Sequence, residues 1–184
     1  MKIKPLCLAM LMFGLSSTAA MAADGTLHFK GHITNSSCTI KGATIGADGV
    51  GENFDINIPM GRVPVHILKR DTKGPEVGFS VTVENCLPGT YNIVLDGTSP
   101  ANQPNVLALD AGSTAQGVGI QISDITEKPV TLTKSLDPND AKIVINDQGD
   151  EGTFDLKASY YAYDRINISA GTADATAYFT IVEQ

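Results

Sequence analysis

The chain has 184 residues, a formal net charge of −7 and three cysteines. This length accommodates one ordinary domain and is too short for two large ones. The acidic balance argues against nucleic acid as a partner, because surfaces that bind nucleic acid are basic.

The start of the chain has the pattern of a secretory signal peptide. Two lysines give a basic start, Leu6 to Leu15 form an apolar run, and Ala20-Met21-Ala22 is an A-x-A cleavage site. The run is shorter than the ~20 apolar residues of a membrane-spanning helix, so cleavage is favoured over the alternative, an N-terminal anchor. We therefore expect residues 1–22 to be removed and residues 23–184 to form one exported domain.

Cleavage removes Cys7 and leaves Cys38 and Cys86, which are 48 positions apart. Two cysteines in an exported domain indicate one disulfide, and the chain-entropy model gives about 4 kcal/mol for such a loop. The alternative is a pair of free buried thiols. We expect the bridge to join two adjacent strands, one at Cys38 and one that ends just before Cys86.

Short β-rich runs separated by Gly, Pro, Asn and Asp fill the mature chain, and no long helix pattern is present. The clearest run is Gly25–Ile33, where small or apolar residues alternate with polar ones, as in a strand with one buried face. Nine or ten strands at this spacing predict an all-β fold, a single immunoglobulin-like β-sandwich. Ser37–Ile40 is expected to continue this first strand past Cys38. The other expected strands are Phe54–Ile58, an edge segment Val65–Leu68, Val77–Glu84, Tyr91–Leu95, Val118–Ile122, Val130–Thr133, Ile143–Ile145, Phe154–Tyr163 and Ala175–Ile181.

The residue types needed for catalysis or metal binding do not cluster in the sequence. A copper–zinc site in an exported sandwich needs several converging histidines, and the chain has only His28, His32 and His66. His28 and His32 share the polar face of the first strand, which favours a solvated face over a metal site. There is no G-x-S-x-G or H-E-x-x-H motif, and no acid–base pair can be identified. We expect a protein that is not an enzyme and has no cofactor or metal.

Several motifs, taken in their order, carry a resemblance to a known family. They are Gly25-Thr-Leu-His-Phe-Lys-Gly31 before Cys38, then Phe79-Ser-Val-Thr-Val-Glu-Asn-Cys86, Gly117-Val-Gly-Ile-Gln-Ile122 and Ala173-Asp-Ala-Thr176. With the cysteine spacing and the terminal alternating strand, the mature chain resembles chaperone–usher fimbrial subunits, especially type 1 major pilins.

The resemblance implies an incomplete immunoglobulin-like sandwich that lacks its seventh strand. In that family a periplasmic chaperone lends a strand to the open groove, and the N-terminal extension of the next subunit then replaces it. The chain would be a structural subunit of a surface fimbria that supports cell adhesion. Its partners would be identical or sibling pilin subunits, a periplasmic pilus chaperone and an outer-membrane usher.

The resemblance also implies roles for residues at both ends of the mature chain. Residues 23–33 would be the donor extension, with Leu27 and Phe29 as plugs and Gly25 where the groove admits no side chain. The expected donor strand is Gly25, Leu27, Phe29, Gly31 and Ile33, and the expected groove and chaperone-contact residues are Gly171, Ala175, Ala177, Phe179, Ile181 and Gln184. Glu183 departs from the family pattern, which has a tyrosine at the penultimate position.

Other interpretations remain open at this point. The Gly25–Ile33 strand could pair within its own sandwich, because periodicity does not distinguish the two arrangements. The chain could be a minor adaptor or terminator subunit of a fimbria. A self-contained periplasmic binding domain or enzyme is the alternative from a different class, and a two-domain tip adhesin is disfavoured because no second domain fits.

Overall fold

The computed structural model describes residues 37–45, 48–49, 56–133, 135–138 and 140–184. All of them belong to one structural unit, Thr34–Gln184. Within these ranges the chain forms eight strands and one short helix. In chain order they are β1 (Thr39–Ile45), β2 (Asp48–Gly49), α1 (Val65–Asp71), β3 (Lys73–Glu84), β4 (Gly89–Asp96), β5 (Val118–Asp124), β6 (Ala141–Ile145), β7 (Gly152–Ala162) and β8 (Tyr178–Glu183).

The strands form two antiparallel sheets. One sheet has five strands in the order β2-β1-β3-β7-β5, and the other has three in the order β6-β4-β8. Their inner faces meet in one hydrophobic core, which is the layer arrangement of a β-sandwich. The predicted all-β, immunoglobulin-like fold is therefore confirmed.

The core follows the period-two pattern of the central strands. Phe79, Val81 and Val83 of β3 are buried, and the register places Phe79 opposite Leu156 and Val81 opposite Phe154 of β7. Burial of side chains of this size stabilises the fold by about 1.5–3 kcal/mol each. The facing sheet contributes Tyr91, Ile93 and Leu95 of β4.

A disulfide joins Cys38 and Cys86. Thr39, the first residue of β1, pairs with Glu84, the last residue of β3, so the bridge closes the end of two adjacent strands. The predicted disulfide and the predicted strand adjacency are both confirmed.

The predicted edge strand at Val65–Leu68 is wrong, because this segment is the first part of helix α1. Leu68 is buried in a small second cluster with Val118, Ala162 and Ile168, and Val65 packs against it. A helical turn brings residues three apart onto the same face, which lets Val65 and Leu68 share this contact. Four residues cannot distinguish that spacing from a short strand.

The charged stretch after Leu68 closes α1 and begins β3. Lys69 and Arg70 lie in the last helical turn, where positive charge interacts favourably with the helix dipole. The Arg165 guanidinium donates to the carbonyl oxygens of Lys69 and Arg70. These bonds satisfy carbonyls that have no partner within the helix.

Several predicted strands differ from the observed ones. Strand β1 begins at Thr39 and continues to Ile45 through Gly42, with an irregular register at that glycine. Residues 130–133 do not form a strand, and Leu132 makes a single isolated bridge to Leu95. Gly25–Ile33 and Phe54 lie outside the described residues.

In the described ranges, no helix has the length and apolar character of a membrane span. Helix α1 has seven residues.

Candidate functional site

An apolar groove of about 600 Å³ opens between the two sheets. Two extended segments, residues 56–61 and residues 173–179, form its walls. Its floor consists of core side chains, which include Phe79, Leu107, Ile120, Ile122, Ala158 and Tyr160.

The first wall alternates in burial without belonging to a strand. Ile56, Ile58 and Met60 pack against the core, whereas Asn57 and Pro59 are exposed. Pro59 has no backbone N–H and cannot donate to a ladder. The predicted alternation of Ile56 and Ile58 is confirmed, but in these described residues it is not accompanied by strand pairing.

The second wall runs into β8 and has the expected inward face. Ala175, Ala177 and Phe179 pack against the core and Ile181 is buried. The alternating residues, Thr176, Tyr178 and Thr180, are exposed. The strand itself starts only at Tyr178. The segment before it is extended but lies outside the ladder with β4.

A loop on the far side of the second wall holds this segment in place. Asp110 N–H donates to the Asp174 carbonyl oxygen at 2.8 Å. The Asp110 carboxylate accepts from the Thr176 N–H at 3.2 Å and from its hydroxyl at 2.9 Å. Ser113 Oγ donates to the Asp174 carbonyl oxygen and accepts from its N–H. These positions could not be predicted from the sequence, because their partners are more than 60 residues away and no local pattern marks them.

The two walls are not bonded to each other. Among the described residues, no backbone hydrogen bond joins residues 56–61 to residues 173–181. Strand β8 is the last strand of its sheet, so one of its edges has no ladder partner among the described strands. An edge of this kind presents backbone donors and acceptors to an added strand.

Gly171 lies where the groove continues toward α1. A second cavity of about 550 Å³ is lined by residues 61–65 and 168–174, and by Leu68 of α1. A Cβ atom on Gly171 would lie 2.4 Å from Ala115 N and from Thr114 Oγ1, a separation that folded proteins do not tolerate. Glycine is therefore required for the close approach of these two chain segments.

Tyr160 separates the two cavities and lines both. Burial raises the pKa of its phenol, and the nearby Asp174 carboxylate adds to this. The side chain consequently stays neutral at physiological pH. The groove floor is therefore uncharged at this junction.

The C-terminus is held at the other end of the sandwich. Gln184 N–H donates to the Thr90 carbonyl oxygen at 2.9 Å. The Glu183 carboxylate accepts from the Ser37 hydroxyl at 3.3 Å, and Ser37 is also bonded to the Tyr91 hydroxyl. Glu183, the departure from the pilin pattern, therefore belongs to a polar cluster beside the start of β1.

The remaining predicted residues are not brought into this site. The donor residues and two of the histidines, His28 and His32, lie outside the described residues. His66 is exposed on α1. In the part of the chain that the structure describes, no three His, Cys, Asp or Glu side chains form a group suited to a metal ion.

Comparison with known sequences identifies one family. The family model of the fimbrial protein matches residues 27–182. The chain is 34% identical over 188 residues to the type-1 fimbrial protein subunit of Serratia marcescens, with 98% of each chain covered. It is 30% identical over 189 residues to the type-1 fimbrial protein A chain of Escherichia coli K12, with 96% of this chain and 97% of the relative covered.

Comparison with solved structures agrees on the fold. A chain from a structure of a chaperone–usher pilus superposes with a TM-score of 0.63 at 16% identity, covering 88% of this chain and 96% of that one. The P pilus rod subunit PapA gives a TM-score of 0.60 at 16% identity, covering 80% and 99%. At this identity the similarity is one of fold.

Proposed function

The chain belongs to the fimbrial protein family, and we propose that it is a fimbrial subunit that polymerises by donor-strand exchange. The family is one of structural pilins, in agreement with the prediction that the protein is not an enzyme. Three features of the chain support the proposal: an acceptor groove, a matching donor sequence and an exposed strand edge.

The groove is the observation that carries the proposal. Its floor and the inward-facing residues of its walls are mostly apolar, and it lies beside the edge of β8 that has no ladder partner among the described strands. The inward-facing wall from Ala173 to Ile181 has nine residues, and so does the alternating stretch Gly25–Ile33. Two extended segments of this length are each about 30 Å long. A strand from a neighbouring subunit would run the length of the wall.

The side chains of the two partners are complementary in size. Ala175 and Ala177 are small and leave space above the floor, while Leu27 and Phe29 are the large residues of the donor stretch. Burying each of these two would contribute about 1.5–3 kcal/mol, with a further contribution from the backbone hydrogen bonds of the added strand. Gly25 would lie where the groove admits no side chain.

An unfilled groove would expose apolar surface beside a strand edge, which promotes aggregation. We propose that a periplasmic chaperone fills it after residues 1–22 are cleaved. The chaperone would contact Gly171, the inward face of residues 175–181, and Gln184. An outer-membrane usher would then receive the complex, and the next subunit's residues 23–33 would replace the chaperone strand on the way to the cell surface.

A subunit that carries both a donor and an acceptor can add to itself. We therefore propose that this chain is the repeating subunit of its fimbria, supporting cell adhesion, rather than an adaptor or terminator. Counting it against the other subunits in purified fimbriae tests this point. A copy number of one or a few per fimbria would assign it to a minor role.

Peptide exchange tests the proposed mechanism directly. The subunit is purified with its chaperone and incubated with a peptide of residues 23–33. The expected result is release of the chaperone and a stable subunit–peptide complex. A peptide with Phe29→Asp should not exchange, and a peptide with His28→Asp should, because position 28 lies on the solvated face. Equal exchange by all three peptides, or none by the natural one, contradicts donor-strand exchange.

A further inference from the structure

The two ends of β3 carry different charge. The strand has twelve residues, Lys73 to Glu84, and so separates its ends by about 35–40 Å. Helix α1 packs at the Lys73 end, where Thr72 accepts a backbone bond from Ala162. The disulfide and the 146–151 loop lie at the Glu84 end, where Gly149 N–H donates to the Cys86 carbonyl oxygen at 2.8 Å.

We call α1 and its neighbouring loops the helix end. Four exposed cations lie there: Arg62, Lys69, Arg70 and Arg165. Ion pairs neutralise some of the nearby carboxylates, and others keep their charge. Asp71 pairs with Arg70, and Asp164 accepts from Ile166 N–H and from Asn167 N–H and Nδ2. Asp174 lines the same cavity as Arg62, and Lys73 is paired with Glu76. Arg62 and Lys69 have no ion pair with any described residue.

The loop end, defined by the 146–151 loop and the neighbouring strand ends, is acidic. Its carboxylates are Glu84, Asp147, Asp150, Glu151 and Glu183. Among the described residues, Lys41 is the cation at the loop end, and it pairs with Glu84 and Glu151. Asp147 and Asp150 are exposed and have no ion pair with any described residue. The loop end therefore presents unneutralised negative charge. Among the described residues, the helix end presents the unpaired cations Arg62 and Lys69 together with two carboxylates, Asp164 and Asp174, that have no cationic partner.

Each end also exposes an apolar side chain. Ile166 is 87% exposed at the helix end, on a turn fixed by Asp164, and Leu87 is 44% exposed at the loop end beside Cys86. An exposed isoleucine held on a bonded turn is suited to a packing contact. Charge and apolar surface thus coincide at both ends.

The path of the chain determines which ends can meet. Ser37 is at the loop end, where its Oγ accepts from Leu87 N–H, and in the sequence it follows the proposed donor stretch after only three residues. A neighbour that donates its Gly25–Ile33 strand therefore brings its own loop end to one exit of the groove. The groove continues to the helix end through the second cavity, whereas its other exit is beside Glu183.

We propose that the helix end of one subunit binds the loop end of the next copy of this chain. Arg62 and Lys69 face Asp147 and Asp150 across the junction, and Ile166 packs near Leu87. The opposite arrangement, two loop ends together, would juxtapose like charges and is unfavourable. This contact rests on the proposed donor-strand exchange and adds to it a second, electrostatic interface between the same two subunits.

Charge reversal in assembled fimbriae tests the contact. The variants are Lys69→Glu, Asp150→Lys and the two combined, with Arg62→Glu as a second single variant. Lys142→Glu on the outer face of β6 is the matched control, since Lys142 is exposed but lies at neither end. Folding of each variant is checked by its yield as a chaperone complex. The readout is the rate at which purified fimbriae dissociate in urea, an uncharged denaturant, at low and high salt.

Each single reversal at an end should speed dissociation about two- to fivefold at low salt, and the effect should shrink at high salt. The combined variant should return to near the natural rate, and Lys142→Glu should match it. Unchanged rates in fimbriae that still form, or single defects that the combination does not repair, overturn the contact but leave donor-strand exchange standing. If the natural chain forms no fimbriae, both proposals are wrong.

Discussion

Thr176 donates both its backbone N–H and its hydroxyl to the carboxylate of Asp110. These bonds hold the groove wall before β8 begins at Tyr178, where the ladder with β4 takes over. Asp110 is therefore a positioning residue for the part of the wall that contains Ala175 and Ala177. Ala175 and Ala177 therefore still face inward, although this part of the wall has no strand partner among the described residues.

We expect Asp110→Ala to loosen this wall. Loss of two hydrogen bonds to a charged group should lower the free energy of unfolding of the peptide-filled subunit by about 1–3 kcal/mol. It should also slow peptide exchange, because the acceptor edge is no longer fixed. Urea unfolding and the exchange assay measure the two effects. Asp147→Ala is the control, because it removes an exposed carboxylate that has no partner among the described residues. It should change the free energy of unfolding by less than about 0.5 kcal/mol. Equal effects of the two variants would refute this role of Asp110.

Gly171→Ala should destabilise the end of the groove. The added Cβ would lie 2.4 Å from Ala115 N, and such overpacking costs about 1–3 kcal/mol. Gly112→Ala is the matched control, because a Cβ there meets no atom within 4 Å. Urea unfolding of the two peptide-filled variants measures the difference. If they prove equally stable, the close approach at Gly171 does not constrain the residue.

The strands that bury a complete face could be predicted from the sequence. Phe79, Val81 and Val83 alternate along β3, and their burial on one side follows from the geometry of a strand. The disulfide could also be predicted, because the predicted signal-peptide cleavage leaves two cysteines in a chain that is expected to be exported. The alternation is a local signal, and the disulfide prediction depends on the number of cysteines. Neither requires knowledge of the fold.

The features that depend on contacts distant in sequence could not be predicted. Helix α1 is fixed by the packing of Leu68 on Ala162 and Ile168, residues almost a hundred positions away. The bonds from Asp110 to residues 174 and 176 are equally non-local. The alternation at residues 56–60 and 175–177 correctly indicated which side chains face inward, but it carried no information about whether a ladder forms.

Removal of the disulfide should destabilise the subunit. Cys38→Ala with Cys86→Ala should lower the free energy of unfolding by about 2–5 kcal/mol and reduce the yield of chaperone complex. Cys7→Ser should have no effect on the mature protein if, as predicted, this residue is removed with a signal peptide. Mass spectrometry should give a mature chain that begins at Ala23, and a retained Cys7 would contradict the cleavage prediction.

Asp140 should give the fold a pH dependence of unusual sign. It is 4% exposed, and its Oδ1 has no hydrogen-bond partner among the described residues. Burial raises the pKa of this carboxyl above its usual 3.8, against the opposing hydrogen bond from the Asp137 N–H. Because the folded state favours the protonated form, Asp140 costs stability as pH rises from 3.8 through the raised pKa, and the loss is complete above it.

Asp140→Asn should remove this cost. Its gain in free energy of unfolding over the natural chain should be small below pH 3.8, grow as pH rises and then stay constant. Glu76→Gln should behave in the opposite way. Hydrogen bonds from Lys73 and Lys157 hold the pKa of Glu76 below its usual 4.5, so its contribution is present above pH 4.5 and disappears as pH falls. Urea unfolding across this pH range measures both effects. If the free energies of unfolding of the two variants, each relative to the natural chain, change with pH in the same direction, the assignment is wrong.

Donor-strand exchange is tested most directly in cells by one pair of substitutions in the donor stretch. Phe29→Asp places a charge where the groove floor is apolar, which is unfavourable by several kcal/mol, and His28→Asp places the same charge on the solvated face. Each variant is purified with the chaperone, and the cells are imaged for fimbriae. Both chaperone complexes should form, because the chaperone fills the groove with its own strand, and fimbriae should be lost only with Phe29→Asp. Normal fimbriae with Phe29→Asp, or loss of its chaperone complex, would show that Phe29 is not a donor plug.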